Sequence, residues 1–397
     1  MAVRQAARMF LPCLRAAFRT AGLTVGVSVL AAPTPWVLSG NEAKLDLATG
    51  VTRVVPGAGP DSLTLLNFTS RPPEVLHLTN VSNTVLGPPS NIALTPDGQL
   101  ALIADSVRLD PDQPGKWRPH RGIHVLDLSV TPPQFLGDVE AGLQPSGLSV
   151  ASDGTFALVA NRAGGSVTRL NIHGRSVVLG ETVTFTLGTN EVSDVAISPD
   201  NRWALASVRE AGHLRLLRCD AGTLTVQERR ISAYGRPYRV VFTPDGQFVL
   251  TAGQGAGNGT DTDALTVIRR HGDEFQTVDF VPLGASPETL EVSPDGKLVA
   301  AILMNGSNLA PGTNGYTDHG RLVILSRRAE RFVRTQTIPV GRIPEGVAFS
   351  PDGRTVIVQC HPERELRLYP IRRGRVETNY QRIAVPGFPS SLRAVGR

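Results

Sequence analysis

The sequence predicts an all-β fold, a seven-bladed β-propeller whose blades are four-stranded and antiparallel. A phrase close to Thr-Pro-Asp-Gly recurs six times at a pitch of 45 to 57 residues, and short strands repeating at a period of roughly 40–50 residues indicate propeller blades. No helix-period pattern of useful length appears after residue 35. The chain contains 40 glycines and 30 prolines among its 397 residues, which suits a fold with many tight turns.

Each copy of this phrase marks the turn between the first two strands of a blade. The copies are centred on Asp97, Asp153, Asp200, Asp245, Asp295 and Asp352. In the clearest repeat, apolar runs flank Ser152-Asp153-Gly154 and predict two antiparallel strands, because Asp bonds to its own backbone and Gly accepts a positive φ. Residues 166–171 alternate apolar and polar side chains as a third strand, and 176–187 supply the fourth, outer strand. One such blade cannot bury both faces alone, so the blades must stack radially.

The two ends of the chain are predicted to complete a seventh blade, since six turn phrases account for only six. Residues 389–395 match the first strand of a blade and stop before its turn. Residues 36–40 match a second strand without a first, and 62–68 and 75–78 supply the third and fourth. Pairing of the two ends would close the ring and remove open sheet edges, which otherwise invite aggregation.

Two longer phrases share the pattern Pro-x-x-apolar-x-apolar-Ser-Pro-Asp-Gly, at Pro287–Gly296 and Pro344–Gly353, and a third segment reads Leu158-Val-Ala-Asn161. In these residues the chain resembles the YVTN-type, lactonase-like seven-bladed β-propeller family, over nearly the whole length that follows residue 31. The resemblance implies the fold. It also raises the hypothesis of lactone hydrolysis without deciding it, because the activities of this family differ widely.

Residues 1–31 are predicted to be an export signal that precedes a single propeller domain, 32–397. A basic leader without acidic residues contains Arg4, Arg8, Arg15 and Arg19. A short apolar core and a small-residue cleavage site at Val29-Leu30-Ala31 follow it. The apolar run is too short for a typical membrane span. We therefore expect a periplasmic or secreted protein without stable membrane insertion after cleavage, with an uncleaved single anchor as the alternative.

Charge and cysteine content exclude several classes of site. The formal charge is +5 for the whole chain and +1 without the four leader arginines, so we expect no nucleic-acid partner. Cys219 is predicted to end a third strand and Cys360 a second strand, on opposite faces and in separate blades, which argues against a disulfide. Neither a haem-attachment motif nor cysteine and histidine residues at zinc spacing are present. We expect no cofactor and no metal.

Long connections between second and third strands are predicted to mark the binding face. They span 41–60, 105–121 and 304–320. In a propeller these connections lie on the face opposite the Asp-Gly turns, and long loops on a rigid ring often carry function. We call this side the looped face and the opposite side the turn face.

Polar residues occupy the position at which each first strand enters the ring. The residues just after the repeat-phase proline or its equivalent are Ser90, Ser146, Ser193, Tyr238, Glu288, Glu345 and Ser390. Together with their neighbours, the predicted ligand-binding residues are Tyr238, Arg239, Glu288, Glu345, Asp194 and Asn91. Glu288 and His319 are candidate catalytic groups, since a carboxylate or an imidazole can act as a general base. The alternative is that these side chains only satisfy channel-facing backbone and water.

Three functional hypotheses remain open. The first is an exported binding or scaffold protein, expected to be monomeric, that holds a protein partner or a small polar ligand on the looped face. The second is a lactonase-like hydrolase of a small lactone, as the family resemblance implies. The third follows from a resemblance to amine-dehydrogenase heavy chains and is a non-catalytic partner of a periplasmic redox subunit. The sequence contains no nucleophile motif that would favour an enzyme.

Overall fold

A computed structural model describes residues 35–185, 191–220, 222–255 and 260–396. The predicted export signal, 1–31, lies outside the described residues. All regular elements within the described ranges are β-strands, which we number along the chain. None of the described segments forms a helix long and apolar enough to cross a membrane.

Blade 1 is built from both ends of the chain, as the sequence predicted. From the channel outward its strands are β31 (Phe388–Ala394), β1 (Trp36–Glu42), β4 (Ser62–Asn67) and β5 (Glu74–Thr79). The connection between β1 and β4 contains a small hairpin, β2 (Leu45–Asp46) and β3 (Arg53–Val54). β31 pairs antiparallel with β1 from Val37↔Ala394 to Glu42↔Phe388, so the last strand of the chain is the inner strand of the closing blade.

The other six blades follow in chain order with the first strand innermost. Blades 2 to 4 are β6 (Ile92–Leu94), β7 (Leu100–Leu109), β8 (Trp117–Asp127) and β9 (Gln134–Glu140); β10 (Pro145–Val150), β11 (Phe156–Asn161), β12 (Ser166–His173) and β13 (Ser176–Thr184); and β14 (Val192–Ile197), β15 (Trp203–Val208), β16 (His213–Asp220) and β17 (Thr223–Ser232). Blades 5 to 7 are β18 (Arg236–Phe242), β19 (Phe248–Gln254), β20 (Asp263–His271) and β21 (Glu274–Gly284); β22 (Pro287–Val292), β23 (Leu298–Leu303), β24 (Arg321–Arg328) and β25 (Arg331–Pro339); and β26 (Pro344–Phe349), β27 (Thr355–Cys360) and β28 (Glu365–Arg372), which pairs with both β29 (Arg375–Val376) and β30 (Gln381–Ala384).

The ring is closed and its core lies between the blades. The inner strands β31, β6, β10, β14, β18, β22 and β26 contact one another in turn and back to β31. Within the described ranges, seven apolar clusters fill the seven interfaces between neighbouring blades. Because the second strands are covered on both sides, β23 and β27 are buried at every position. Their sequences are accordingly almost continuously apolar rather than alternating.

The aspartate of the repeated phrase also links one blade to the next. Asp245 Oδ1 accepts hydrogen bonds from Thr243 Oγ1 at 2.6 Å and Gln247 N at 3.1 Å, which stabilises the turn. Its Oδ2 lies 2.7 Å from Arg327 Nη1 of blade 6. Equivalent ion pairs join blade 4 to blade 5 and blade 7 to blade 1, through Asp200 with Arg270 and Asp352 with Arg71.

Two predicted loop lengths are confirmed and one is wrong. The connections around 41–60 and 304–320 are long, spanning 43–61 between β1 and β4 and 304–320 between β23 and β24. The predicted loop 105–121 is instead mostly strand, because β7 and β8 remain paired from Asp105↔Gly122 to Leu109↔Trp117. Only 110–116 connects them. Cys219 and Cys360 are each free and buried, near the ends of β16 and β27, in agreement with the prediction that they do not form a disulfide with each other.

Candidate functional site

The central channel contains one cavity at each end. The looped-face cavity has a volume of about 270 Å³, and its polar lining comes mainly from Arg162, Tyr238, Glu288, Glu345 and Asn308. The turn-face cavity has a volume of about 490 Å³ and is lined by turn prolines, apolar strand residues and a charged group that includes Arg239, Glu291 and Arg393. Of the candidate residues of the sequence, Tyr238, Glu288 and Glu345 therefore line the looped-face cavity and Arg239 lines the turn-face cavity.

A β-bulge repeated in the blades explains why the residue after the proline points into the channel. The pairing of first and second strands shifts just after Pro237, Pro287 and Pro344. A bulge inserts an extra residue into one strand and re-aims its side chain. Tyr238, Glu288 and Glu345 occupy this position in three adjacent blades, and all three line the looped-face cavity.

Glu288 and Glu345 form a buried pair of carboxyl groups in this cavity. Burial raises the pKa of Glu288 from 4.5 to about 7, although Arg209 and Arg162 partly oppose the shift. The pKa of Glu345 is raised well above its usual value by burial, then by repulsion from Glu288 and Glu42. The side chain of Glu345 is almost completely buried, and its Oε1 has no hydrogen-bond partner among the described residues. Since burying a polar atom without a partner is costly, this oxygen indicates a ligand site.

Tyr238 lies between two arginines on another wall of the cavity. The guanidinium carbons of Arg162 and Arg209 lie 5.9 and 5.5 Å from the centre of its ring. Arg162 Nη1 also donates to the Tyr238 hydroxyl at 3.4 Å. Both guanidiniums share Glu191 Oε2, at 2.9 Å from Arg162 and 3.3 Å from Arg209. Arg209 Nη1 also lies 2.5 Å from Glu210 Oε1, so each guanidinium has a carboxylate partner and the wall is an aromatic, hydrogen-bonding surface.

A third carboxyl group, Glu42, lies close enough to raise the pKa of Glu345. Burial raises the pKa of Glu42 itself from 4.5 to about 7. Its Oε2 accepts from Val85 N at 2.6 Å, and its Oε1, which like Glu345 Oε1 has no hydrogen bond within the described residues, forms an ion pair with Lys44 Nζ at 3.0 Å. Lys44 is also paired with Asp61 at 2.5 Å. Glu42 is thus anchored in the protein, whereas Glu345 is not.

Two long loops roof the cavity and contact each other. The 43–61 loop supplies Leu47, Gly50 and Thr52 to the lining, and the 304–320 loop supplies Asn308. A Cβ atom on Gly50, which has φ +86°, would lie only 2.5 Å from Ala310 N. The backbones of the two loops are therefore packed as closely as a glycine allows.

The base of the 43–61 loop is tied to blade 7. Arg342 Nη2 donates to Ala48 O at 2.8 Å. Leu47 N donates to His361 Nε2 at 3.3 Å, while His361 Nδ1 donates to Pro389 O at 3.1 Å. The buried imidazole also stacks on Phe388 with 4.9 Å between ring centres. His361 is a structural residue of the roof.

Three side chains that surround the looped-face cavity were missed by the sequence analysis, although one regular position contains them. Glu42, Arg162 and Arg209 are the last residue of a second strand or the residue just after it. This position lies at the looped face in every blade, so a comparison of second-strand ends across the repeats would have identified them. No local motif marks them.

The remaining predicted site residues lie elsewhere. Asp194 and Arg239 form a buried ion pair, and Arg239 lines the turn-face cavity. Asn91 Nδ2 donates to Thr84 O at 2.6 Å, outside the lining of both cavities. His319 is half-exposed on the 304–320 loop and pairs with its neighbour Asp318 at 2.8 Å. The ligand-binding and catalytic roles of these four residues stay predictions. In the described part of the chain, no group of three or more His, Cys, Asp or Glu side chains is arranged to hold a metal ion.

Comparison with known proteins supports the fold. The family model described as "Lactonase, 7-bladed beta-propeller" matches residues 180–261. No curated protein sequence matches the chain. A putative 6-phosphogluconolactonase from Bacteroides uniformis is similar in structure, with a TM-score of 0.68 and 15% identity over 91% of this chain and 100% of that chain.

Two further solved structures share the architecture. The periplasmic gluconolactonase of Pseudomonas aeruginosa gives a TM-score of 0.66 and 19% identity over 91% of this chain and 99% of that chain. The hydrazine synthase of Kuenenia stuttgartiensis gives 0.61 and 18% over 79% of this chain and 91% of that chain. Likeness at such low identity shows the fold and no more. The chain is a seven-bladed β-propeller that resembles the lactonase-like family in its repeats, in residues 180–261 and in its ring architecture.

Proposed function

We propose that the protein is an exported binding protein that holds a small polar ligand in the looped-face cavity. The observation that carries this proposal is the Glu345 carboxyl group, which is 1% exposed, lines the cavity and has an Oε1 without a hydrogen-bond partner in the described chain. Export is supported by the basic leader, and a structural neighbour named as periplasmic shares the fold.

The cavity has the size and polarity for such a ligand. Its volume of about 270 Å³ lies just below the range of roughly 300–1,000 Å³ that is typical of drug-sized ligands. Glu288 and Glu345 offer acceptors on one side, and the Tyr238 hydroxyl and Arg162 offer donors on another. The 43–61 and 304–320 loops, which contact each other, both contribute to the lining of this cavity. A small molecule with several hydrogen-bonding groups would satisfy this arrangement.

Lactone hydrolysis is a second candidate function, favoured by the carboxyl pair and by the family model. Because burial raises the pKa of Glu288 to about 7, and burial and repulsion raise that of Glu345, the pair retains a proton near neutral pH. In this reaction the ionised carboxylate would take a proton from a water molecule while the oxygen of that water attacks the lactone carbonyl. The protonated member, or the Tyr238 hydroxyl, would donate a proton to the ring oxygen as the C–O bond breaks. The product is the hydroxy acid.

The experiment that tests the proposal measures binding and turnover on the same protein. Residues 32–397 would be mixed with δ-gluconolactone, gluconate, glucose and glucosamine, with binding followed by thermal shift and calorimetry and hydrolysis by pH-stat titration. The informative variants are Glu345→Gln and Tyr238→Phe. Glu74→Gln is the matched control, because Glu74 is exposed on the outer strand β5.

We expect at least one of these compounds to bind and the two cavity variants to weaken it, while Glu74→Gln binds like the wild type. Turnover of δ-gluconolactone above buffer, lost in Glu345→Gln, would favour the hydrolase. Absence of binding by all four compounds would count against a polar-ligand site. The redox-partner hypothesis stays a prediction, tested by whether a redox subunit co-purifies from the native host.

A further inference from the structure

We infer that the ligand of the looped-face cavity carries a protonated amine, which binds between the carboxyl groups of Glu288 and Glu345. The inference rests on the proposed function, since it identifies the chemical class of the ligand for that same site. The inference depends on which charged side chains around the cavity have partners of opposite charge, and this differs between the walls of the cavity.

The basic side chains near the cavity already have carboxylate partners. Arg162 and Arg209 both bind Glu191 Oε2, at 2.9 and 3.3 Å. Lys44 lies 3.0 Å from Glu42 and 2.5 Å from Asp61. Arg209 is also paired with Glu210 at 2.5 Å, so each of these three basic groups is held by a carboxylate other than Glu288 and Glu345.

The acidic wall has only partial compensation, since Arg209 and Arg162 lower the pKa of Glu288 without pairing with it. Within the described residues, neither Glu288 nor Glu345 forms an ion pair with a basic side chain. For Glu345 every cause of its raised pKa acts in the same direction, namely burial, Glu288 and Glu42, and no cation opposes them. Two carboxyl groups thus face one cavity in adjacent blades, and at least one oxygen has no donor.

An ammonium group supplies what this wall lacks. It brings three N–H donors and one positive charge, which matches an unpaired acceptor and a pair of carboxyl groups that repel each other. A cation near a carboxyl lowers its pKa, so binding of the amine would release the proton that the pair shares. A neutral polyol could donate hydrogen bonds without releasing a proton, and an anion would be repelled.

The test compares amines with their uncharged counterparts at two sizes. Ethanolamine, ethylene glycol and glycolate form the smaller set, and glucosamine and glucose the larger. Each would be titrated calorimetrically into residues 32–397 at pH 7, in two buffers that differ in ionisation enthalpy, which measures proton release. We expect an amine to bind at least about tenfold more tightly than its uncharged counterpart, as a charge-assisted contact implies, with net release of a proton.

Variants separate this inference from the proposed function. Glu345→Gln should weaken amine binding by about tenfold to a hundredfold and abolish proton release, whereas Glu74→Gln should change neither. If Glu345→Gln fails to fold by circular dichroism, proton release by the wild type still decides the question. Equal affinity for the amine and its uncharged counterpart at both sizes, or absence of amine binding, would contradict the inference that the ligand carries a protonated amine. If glucose or ethylene glycol then binds and Tyr238→Phe weakens that binding, the proposed polar-ligand site is supported although its ligand is not an amine. Absence of all binding would overturn both.

Discussion

Arg239 Nη1 lies 2.9 Å from Asp194 Oδ2, and both side chains are buried in the wall of the channel. Arg239 Nη2 also lies 3.1 Å from Glu291, whose Oε2 is 3.4 Å from Arg393 Nη1. This network joins inner strands of blades 4, 5, 6 and 1, so it links the closing strand β31 to three other blades. The charge of Arg239 is thus neutralised within the protein.

Removal of Arg239 should therefore destabilise the ring. Arg239→Met leaves the carboxylates of Asp194 and Glu291 buried without this partner, which typically costs about 3–5 kcal/mol. The measurement is the free energy of unfolding in urea. The control is Arg236→Met on the same strand, where a half-exposed side chain lies 3.6 Å from Glu210, and we expect a loss below about 1 kcal/mol. Unchanged stability with lost ligand affinity would instead support the prediction that Arg239 binds ligand.

Ring closure gives a second prediction. Deletion of residues 388–397 removes β31, the strand that pairs with β1 along its length and contacts β6 and β26. We expect a large fall in melting temperature, because the deletion exposes the apolar core on both sides of blade 1. The control deletion removes only residues 396–397, beyond the last strand. Similar melting temperatures for the two deletions would contradict closure by the chain ends.

The ring could be predicted from the sequence because its signal is local and repeated. An Asp-Gly turn between two apolar runs specifies the first two strands of a blade independently of the sequences of the other blades. Tyr238, Glu288 and Glu345 could be found for the same reason, since the same proline precedes each. Arg239 was placed with them although it is only one residue further along β18. Successive side chains on a strand point in opposite directions, and Arg239 accordingly belongs to the other cavity.

The rest of the site depends on contacts between distant parts of the chain. Arg162 approaches Tyr238 from two blades away, and Glu42 affects Glu345 at a separation of 303 positions in the chain. Arg327 pairs with Asp245 across a blade interface. No spacing in a single sequence encodes such partners. The chain length between them is unrelated to their distance in the folded ring.

The roof of the cavity gives a third prediction. Gly50→Ala would place a methyl group 2.5 Å from Ala310 N, so the 43–61 and 304–320 loops must separate. We expect weaker binding of any looped-face ligand and faster proteolysis in these two loops, with little change in global stability. Gly57→Ala is the matched control, since Gly57 has φ +63° in the same loop but nothing within 4 Å of its added Cβ. Equal effects of both variants would show that backbone strain, rather than the loop contact, is responsible.

His361 gives a fourth prediction, on stability in acid. Burial lowers the pKa of His361 from 6.5 to about 4, so between these values the unfolded chain binds a proton that the folded protein does not. Stability should therefore fall as pH decreases from 6.5 to 4, by up to about 3 kcal/mol from this group. His361→Gln removes the titration. The advantage of the wild type over this variant, measured by urea unfolding, should shrink across that window. A constant difference from pH 7 to pH 4.5 would show that folding does not lower the pKa of His361.

The buried carboxyl groups in and near the cavity should change stability with pH in the opposite sense to His361. The folded-state pKa is about 7 for Glu288 and Glu42 and is raised for Glu345, against 4.5 in the unfolded chain. Between these values the folded protein binds more protons than the unfolded chain. The contribution of these groups to the free energy of unfolding therefore falls as pH rises, by no more than about 1.4 kcal/mol per pH unit for each proton. Comparison of Glu345→Gln with the wild type from pH 6.5 to 8 isolates the contribution of Glu345, because His361 is present in both proteins and its titration in the unfolded chain cancels in the difference.

We expect the free energy of unfolding of the wild type to fall across that window and to fall less steeply in Glu345→Gln, which removes one of the titrating groups. At pH 8 the variant should be the more stable protein, since a neutral amide replaces a buried carboxylate without a partner. Glu74→Gln is the control and should follow the wild type at every pH. Parallel curves for Glu345→Gln and the wild type would mean that Glu345 is ionised and solvated in the folded protein. That result would remove the observation on which the proposed ligand site depends.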